Sequence, residues 1–154
     1  MSLMKGKIIP LLCIFILFGC QKNDIQVYNG KDTSFEKLKG QWIIVNYWAD
    51  WCAPCIKELP ELFEFAEENN DVLVYVYNFD ELEKEDLKPV AKRFNLKLPS
   101  LISHPREIWG IQTPPAVPAT FFINPEGIVV ESLFRPQTKA VSYTHLTLPT
   151  IELV

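Results

Sequence analysis

The sequence predicts an α/β domain with a central mixed β-sheet flanked by helices, and three observations carry that prediction. Two apolar runs rich in β-branched and aromatic residues, QWIIVNYWA and DVLVYVYNF, are each followed by a stretch with helical spacing. Strands that alternate with helices become parallel neighbours, because a parallel return needs a crossover. Two later runs, TFFIN and GIVVESLF, flank Asn124-Pro125-Glu126-Gly127, a turn that pairs them as an antiparallel hairpin.

Taken in order, the elements begin after a polar stretch. SFEKLKG reads as a short helical turn that sets Phe35 and Leu38 on the domain and stops at Gly40. QWIIVNYWA has the length and composition of a buried central strand. From Pro54 onward, Ile56, Leu59, Leu62, Phe63 and Phe65 or Ala66 fall close to a helical period, with Pro60 expected to bend the helix. DVLVYVYNF is the next strand. Glu81 to Phe94 reads as a helix that Pro89 interrupts or kinks. A proline-rich connection containing PREIWGI then leads to the hairpin.

Composition narrows what the chain does. At 154 residues, 48% hydrophobic and 12% aromatic, it fits one globular domain with a sizeable core and has no room for a second catalytic domain. With 15 Lys and Arg against 19 Asp and Glu, the net charge of −4 gives no electrostatic case for nucleic acid. The acidic runs EFAEENND and DELEKED read as solvated faces.

The first residues are of another kind. Lys5 and Lys7 precede IIPLLCIFILFGC, an apolar run short for a permanent membrane helix and typical of a signal peptide. Leu17-Phe18-Gly19-Cys20 resembles a bacterial lipobox, although Phe18 is larger than the usual residue there. The resemblance implies a signal peptide at 1–19, lipidation at Cys20 and a tether at 20–30, on the periplasmic side of a bacterial membrane. The other reading is an uncleaved anchor, with the same topology. Without residues 1–19 the chain keeps 13 basic and 19 acidic residues, a net charge of −6.

That leaves Cys52 and Cys55 as the cysteines of the folded domain. A C-x-x-C pair serves metal ligation or dithiol redox chemistry. The histidines are His104 and His145, with no second cysteine pair, so a four-ligand zinc site lacks donors and the redox reading is preferred, with no metal or cofactor required. Placement supports it. The pair follows a buried strand and opens a helix, so unpaired N–H groups and the helix dipole favour a Cys52 thiolate. Cys55, nearly a turn deeper, is expected to be better shielded and to resolve a mixed disulfide formed on an exposed Cys52. Pro54 sits in the first turn, where no N–H is needed. Ala53-Pro54 adds no charge or histidine to stabilise a thiolate, which points towards a reductant.

VNYWADWCAPCIKELPEL resembles the active-site segment of the TlpA-like and cytochrome c maturation branch of the thioredoxin superfamily. The resemblance covers roughly residues 26–139 and implies a thioredoxin-like fold over 31–140. Asn46 stands where thioredoxin usually has a buried acid, and Glu58 and Pro60 match the exported branch. The resemblance makes Glu58 a local acid assisting deprotonation of Cys55, against the plainer reading of a solvated helix glutamate, with burial deciding. It makes Trp51 a residue of the surface flanking the cysteines. Ala116-Val117-Pro118-Ala119-Thr120 resembles the cis-proline loop, which implies a cis Val117–Pro118 bond and a substrate strand held on the backbone of Val117.

The end departs from the pattern. Thr138 resembles the N-cap of a closing helix, yet VSYTHLTLPTIELV is rich in β-branched residues and holds a proline. VSYTHLTLPT resembles a translated sequencing adapter, so 141–154 is expected to be a non-native tail, with the closing helix lost or replaced. The implied function is a periplasmic thiol–disulfide oxidoreductase that reduces protein disulfides and is recharged by a membrane electron donor. By the same resemblance, an apocytochrome c, a maturation factor or another oxidised periplasmic thiol protein would be its substrate. The alternatives are an oxidant or isomerase and, from another class, a metal-binding module.

Overall fold

The computed structural model describes residues 24–138. Within them the strand Trp42–Trp48 (β2) is covered on both faces, and every residue from Ile43 to Ala49 is buried. Double coverage explains why its sequence is a continuous apolar run rather than an alternation. Parallel to it lies Val72–Asn78 (β3), in register Trp42 with Val72 through Trp48 with Asn78. The crossover between them is the helix Ala53–Glu68 (α2).

The helix Lys84–Arg93 (α3) follows β3. It starts later than the predicted Glu81, because Glu81 takes a left-handed conformation (φ 56°) and Glu83 is the N-cap. Pro89 does not end α3, and Pro60 does not break α2; each ring removes one backbone donor from a helix held by its buried face. On the other side of β2 the hairpin Ala119–Ile123 (β5) and Val129–Leu133 (β6) pairs antiparallel, with a register shift at Phe122/Ile123. Its turn forms as expected. The Gly127 N–H donates to the Asn124 carbonyl at 2.8 Å, and Asn124 Oδ1 accepts from the Ile128 N–H at 2.9 Å.

Three short elements complete the described fold. Val27–Tyr28 (β1) pairs antiparallel with Ser100–Leu101 (β4), which runs parallel to β3, and Pro105–Trp109 (α4) fills part of the proline-rich connection. The short turn Phe35–Leu38 (α1) lies where it was expected. The strands of the described residues form one mixed sheet, ordered β1-β4-β3-β2-β5-β6. Ile25 and Val27, within the 20–30 stretch expected to be a tether, are packed in the core.

The sheet separates two apolar clusters. On one face α2 and α3 bring Leu59, Leu62, Phe65, Leu87 and Val90 against Ile44, Trp48, Val74, Val76 and Phe122. On the other, Leu38, Ile25, Val27 and Ile111 cover Ile43, Val45, Tyr47, Tyr77 and Phe121. Phe65 is fully buried at the middle of the first cluster, and removing its ring would cost about 3–5 kcal/mol. The two clusters fix α2 against β2, and so fix the junction between them where the cysteines lie. Cys20, the lipobox, Ala140 and the 141–154 tail lie outside the described residues.

Candidate active site

Strand β2 ends at Trp48, and a tight turn, with the Cys52 N–H on the Ala49 carbonyl at 3.1 Å, delivers the chain to α2. Cys52 is the N-cap of that helix. Its sulfur accepts from the Cys55 N–H at 3.3 Å, one of the donors of the first turn. Cys52 and Cys55 form a disulfide, with an S–S distance of 2.05 Å.

One expectation needs correcting. Cys52 is not exposed: it is 5% accessible and Cys55 1%, so the difference has the expected direction with both side chains buried. The cause is packing, since Cys52 joins the apolar cluster of Trp48, Ala49 and Leu59 while its neighbours Trp51, Ala53 and Pro54 carry the exposed surface. Trp51 is 60% exposed, and it is held. Its indole N–H donates to Asp80 Oδ2 at 2.8 Å, and its ring meets Phe79 edge to face at 6.0 Å. Asp80 in turn takes its place through its own N–H, donated to Asn78 Oδ1 at 3.0 Å.

Glu58 lies one helical turn after Cys55 on α2, on the same helix face. It is 3% accessible, which removes the reading of a solvated helix glutamate. Burial pushes its carboxyl pKa up to about 8, against the opposing pull of the Gln137 main chain, Asn46 and Thr120. Asn46 donates to Glu58 Oε1 at 3.0 Å and to Thr120 Oγ1 at 3.0 Å. Asn46 and Thr120 face each other across the β2–β5 pairing.

That pairing also positions the proline loop. Tyr47 is paired with Ala119, and β5 runs antiparallel to β2, so the residues just before β5 lie at the end of the sheet from which β2 runs on to Cys52. The Val117–Pro118 bond is cis; Pro118 is buried and Val117 half-buried, packed against both apolar clusters. Trp51, Cys52, Cys55 and the 117–118 loop thus gather at one sheet end. Asn46, Thr120 and Asp80 complete the arrangement and were not singled out as site residues. A lone amide inside WIIVNYW was the readable sign for Asn46; Asp80 had none. His104 takes no part: it caps α4, accepts from the Arg106 N–H and meets Glu81 at 3.2 Å. Among the described residues no group of three or more His, Cys, Asp or Glu is placed to hold a metal ion.

Known proteins agree with this architecture. The family model described as AhpC/TSA matches residues 19–132. A Bacillus cereus protein named thiol-disulfide oxidoreductase ResA is 33% identical over 111 residues, 71% of this chain and 64% of that protein. The chain thus spans a little under two thirds of that relative. The crystal structure of the exposed lipoprotein thioredoxin Etrx1 from Streptococcus pneumoniae superimposes with a TM-score of 0.59 at 28% identity, covering 73% of this chain and 87% of the other. StoA from Bacillus subtilis gives 0.59 at 24% identity, covering 75% and 92%, a likeness of fold. The mixed sheet flanked by helices is a likeness of fold to these structures, and the chain belongs to the AhpC/TSA family, with a thioredoxin-like fold.

Proposed function

We propose that the chain is a protein thiol–disulfide oxidoreductase that works outside the cytoplasm as a dithiol reductant. The observation that carries this reading is the Cys52–Cys55 disulfide at the N-terminus of α2, with the buried carboxyl of Glu58 one turn further on. In the reduced state the Cys52 thiolate, favoured by the helix dipole, attacks a disulfide of the substrate protein. A mixed disulfide forms and one substrate sulfur leaves as a thiolate, which takes a proton. Cys55 then loses its proton and attacks Cys52 Sγ. The second substrate thiolate departs, and the two cysteines are left as the disulfide.

Glu58 accepts the Cys55 proton in that second step. Its pKa, raised to about 8, makes it a stronger proton acceptor than an ordinary carboxylate. The exposed ring of Trp51 and the backbone at Val117 and Pro118 hold an extended substrate segment across the pair, which demands little of its sequence. Two electrons from a membrane donor restore the dithiol. The resemblance to the cytochrome c maturation branch makes an apocytochrome c or a maturation factor the substrate.

The signal-like 1–19 segment and Cys20 support a lipid-anchored domain on the outer side of the membrane; among the described residues no helix is long and apolar enough to cross it. Direction is tested by equilibrating the purified domain with glutathione buffers. A potential near that of thioredoxin, about −270 mV, supports the reductant; a value near about −120 mV makes it an oxidant instead.

A further inference from the structure

Asn46 interrupts an apolar strand and is 1% accessible, so each polar atom it carries there needs a use. Its Nδ2 has two hydrogens, and both are spent: one on Glu58 Oε1 and one on Thr120 Oγ1, each at 3.0 Å. Thr120, fixed opposite Asn46 by the strand register, holds the amide in this orientation and favours the charged form of Glu58 as Asn46 does. The other carboxyl oxygen, Oε2, is buried and makes no hydrogen bond among the described residues.

These contacts make the two oxygens of Glu58 unequal. An oxygen facing an N–H donor is a poor place for the acid proton, because donor would then face donor. A buried Oε2 with no donor is in turn a poor place for a bare negative charge. The neutral acid therefore carries its proton on Oε2.

We propose that Asn46 is a positioning residue for the thiol–disulfide reaction: its amide fixes Oε1 of Glu58 as a permanent acceptor, leaving Oε2 as the oxygen that takes up and releases the proton exchanged with Cys55. This rests on the reading of Glu58 as the acid partner of Cys55. The step balances. The Cys55 S–H bond breaks as an O–H bond forms at Oε2, the substrate–Cys52 disulfide breaks as the Cys52–Cys55 disulfide forms, and the substrate sulfur leaves as a thiolate. The Oε2 proton then passes to solvent or to that thiolate.

Among the described residues the charged groups around Glu58 come from its own helix: Glu61 raises its pKa, and Lys57 lines with it an open groove of about 290 Å³ that also takes in Glu58 and residues 136–138. Strands β2 and β5 contribute the neutral Asn46 and Thr120, and the 136–138 segment contributes the Gln137 main chain. The amide is thus a handle on the carboxyl that carries no charge of its own. With the amide turned the other way, Oδ1 would accept the acid proton, and losing Asn46 would lower the pKa rather than raise it.

The opposite signs make the test. The Glu58 carboxyl is titrated by carbon NMR in the oxidised full chain, as wild type, Asn46→Leu and the nearly isosteric Thr120→Val. The expected result is a midpoint raised by about one to two pH units in Asn46→Leu, the size of one lost hydrogen bond to a charged group, and by a smaller step in Thr120→Val. In the reduced Cys52→Ser chain, the pH dependence of Cys55 alkylation should move with it, and adding Glu58→Gln should abolish the Asn46 effect. An unchanged or lowered midpoint in the variants overturns the role of Asn46. A raised midpoint, with Cys55 alkylation indifferent to Glu58→Gln, instead overturns the acid–base reading of Glu58 and with it the proton route.

Discussion

The indole N–H of Trp51 donates to Oδ2 of Asp80 across 2.8 Å, tying the exposed ring beside Cys52 to the loop that follows β3. A ring that is 60% exposed would otherwise sample several rotamers, and ordering it on binding would weaken a substrate complex. Asp80→Leu is therefore expected to raise KM for a protein disulfide by about threefold to tenfold while leaving kcat nearly unchanged. Asp80→Asn, which keeps an acceptor, should fall between. Steady-state kinetics with Trp51 fluorescence anisotropy checks both the effect and its cause.

Glu58 makes stability depend on pH. Its folded-state pKa is raised to about 8 from an ordinary 4.5, so between those values the folded chain holds a proton that the unfolded chain has lost. Stability should be highest at the acid side of this window, fall as pH rises through it, and level off above the folded pKa. Glu58→Gln removes the dependence, and the variant should gain on the wild type between pH 5 and 8 by on the order of a few kcal/mol. Denaturant titrations of the oxidised proteins at several pH values measure it.

Gly127 closes the hairpin turn with φ +80°, and a Cβ there would meet Phe35 Cζ at 2.7 Å. Gly127→Ala meets both backbone strain and a clash with the aromatic ring of α1. A loss of about 1–3 kcal/mol follows, seen as a lower melting temperature. The cysteine pair lies elsewhere in the fold, so disulfide exchange per folded molecule should be unchanged.

Legibility in the sequence followed the length and burial of each element. β2, β3 and α2 were readable because each buries enough apolar surface to impose its period or its unbroken apolar run, and the β5–β6 hairpin because Asn124-Pro125-Glu126-Gly127 marks its turn. β1 and β4 are two residues each, too short for any period, and exist because they pair with one another and β4 pairs with β3. α4 was readable in principle: His104 caps it, Pro105 opens it and Gly110 closes it at φ 69°, yet its five residues sit in a proline-rich stretch that masks them. The cysteines were legible because their chemistry is local, and the cis-proline loop through the family pattern. What sequence did not carry was burial. Neither the cover over Cys52 nor the burial of Glu58 is a local property, since both depend on how α2 and β5 pack on β2.

The central claim is that Cys52 attacks and Cys55 resolves. It is tested most directly by trapping: the full chain carrying Cys55→Ser, and in parallel Cys52→Ser, is exposed to an oxidised periplasmic extract, quenched with acid and alkylating agent, and mapped by mass spectrometry. The account predicts thiol-sensitive adducts to partner proteins through Cys52 in the Cys55→Ser chain, with far fewer through Cys55 in the Cys52→Ser chain. Equal adducts in both chains, or none in either, would contradict it.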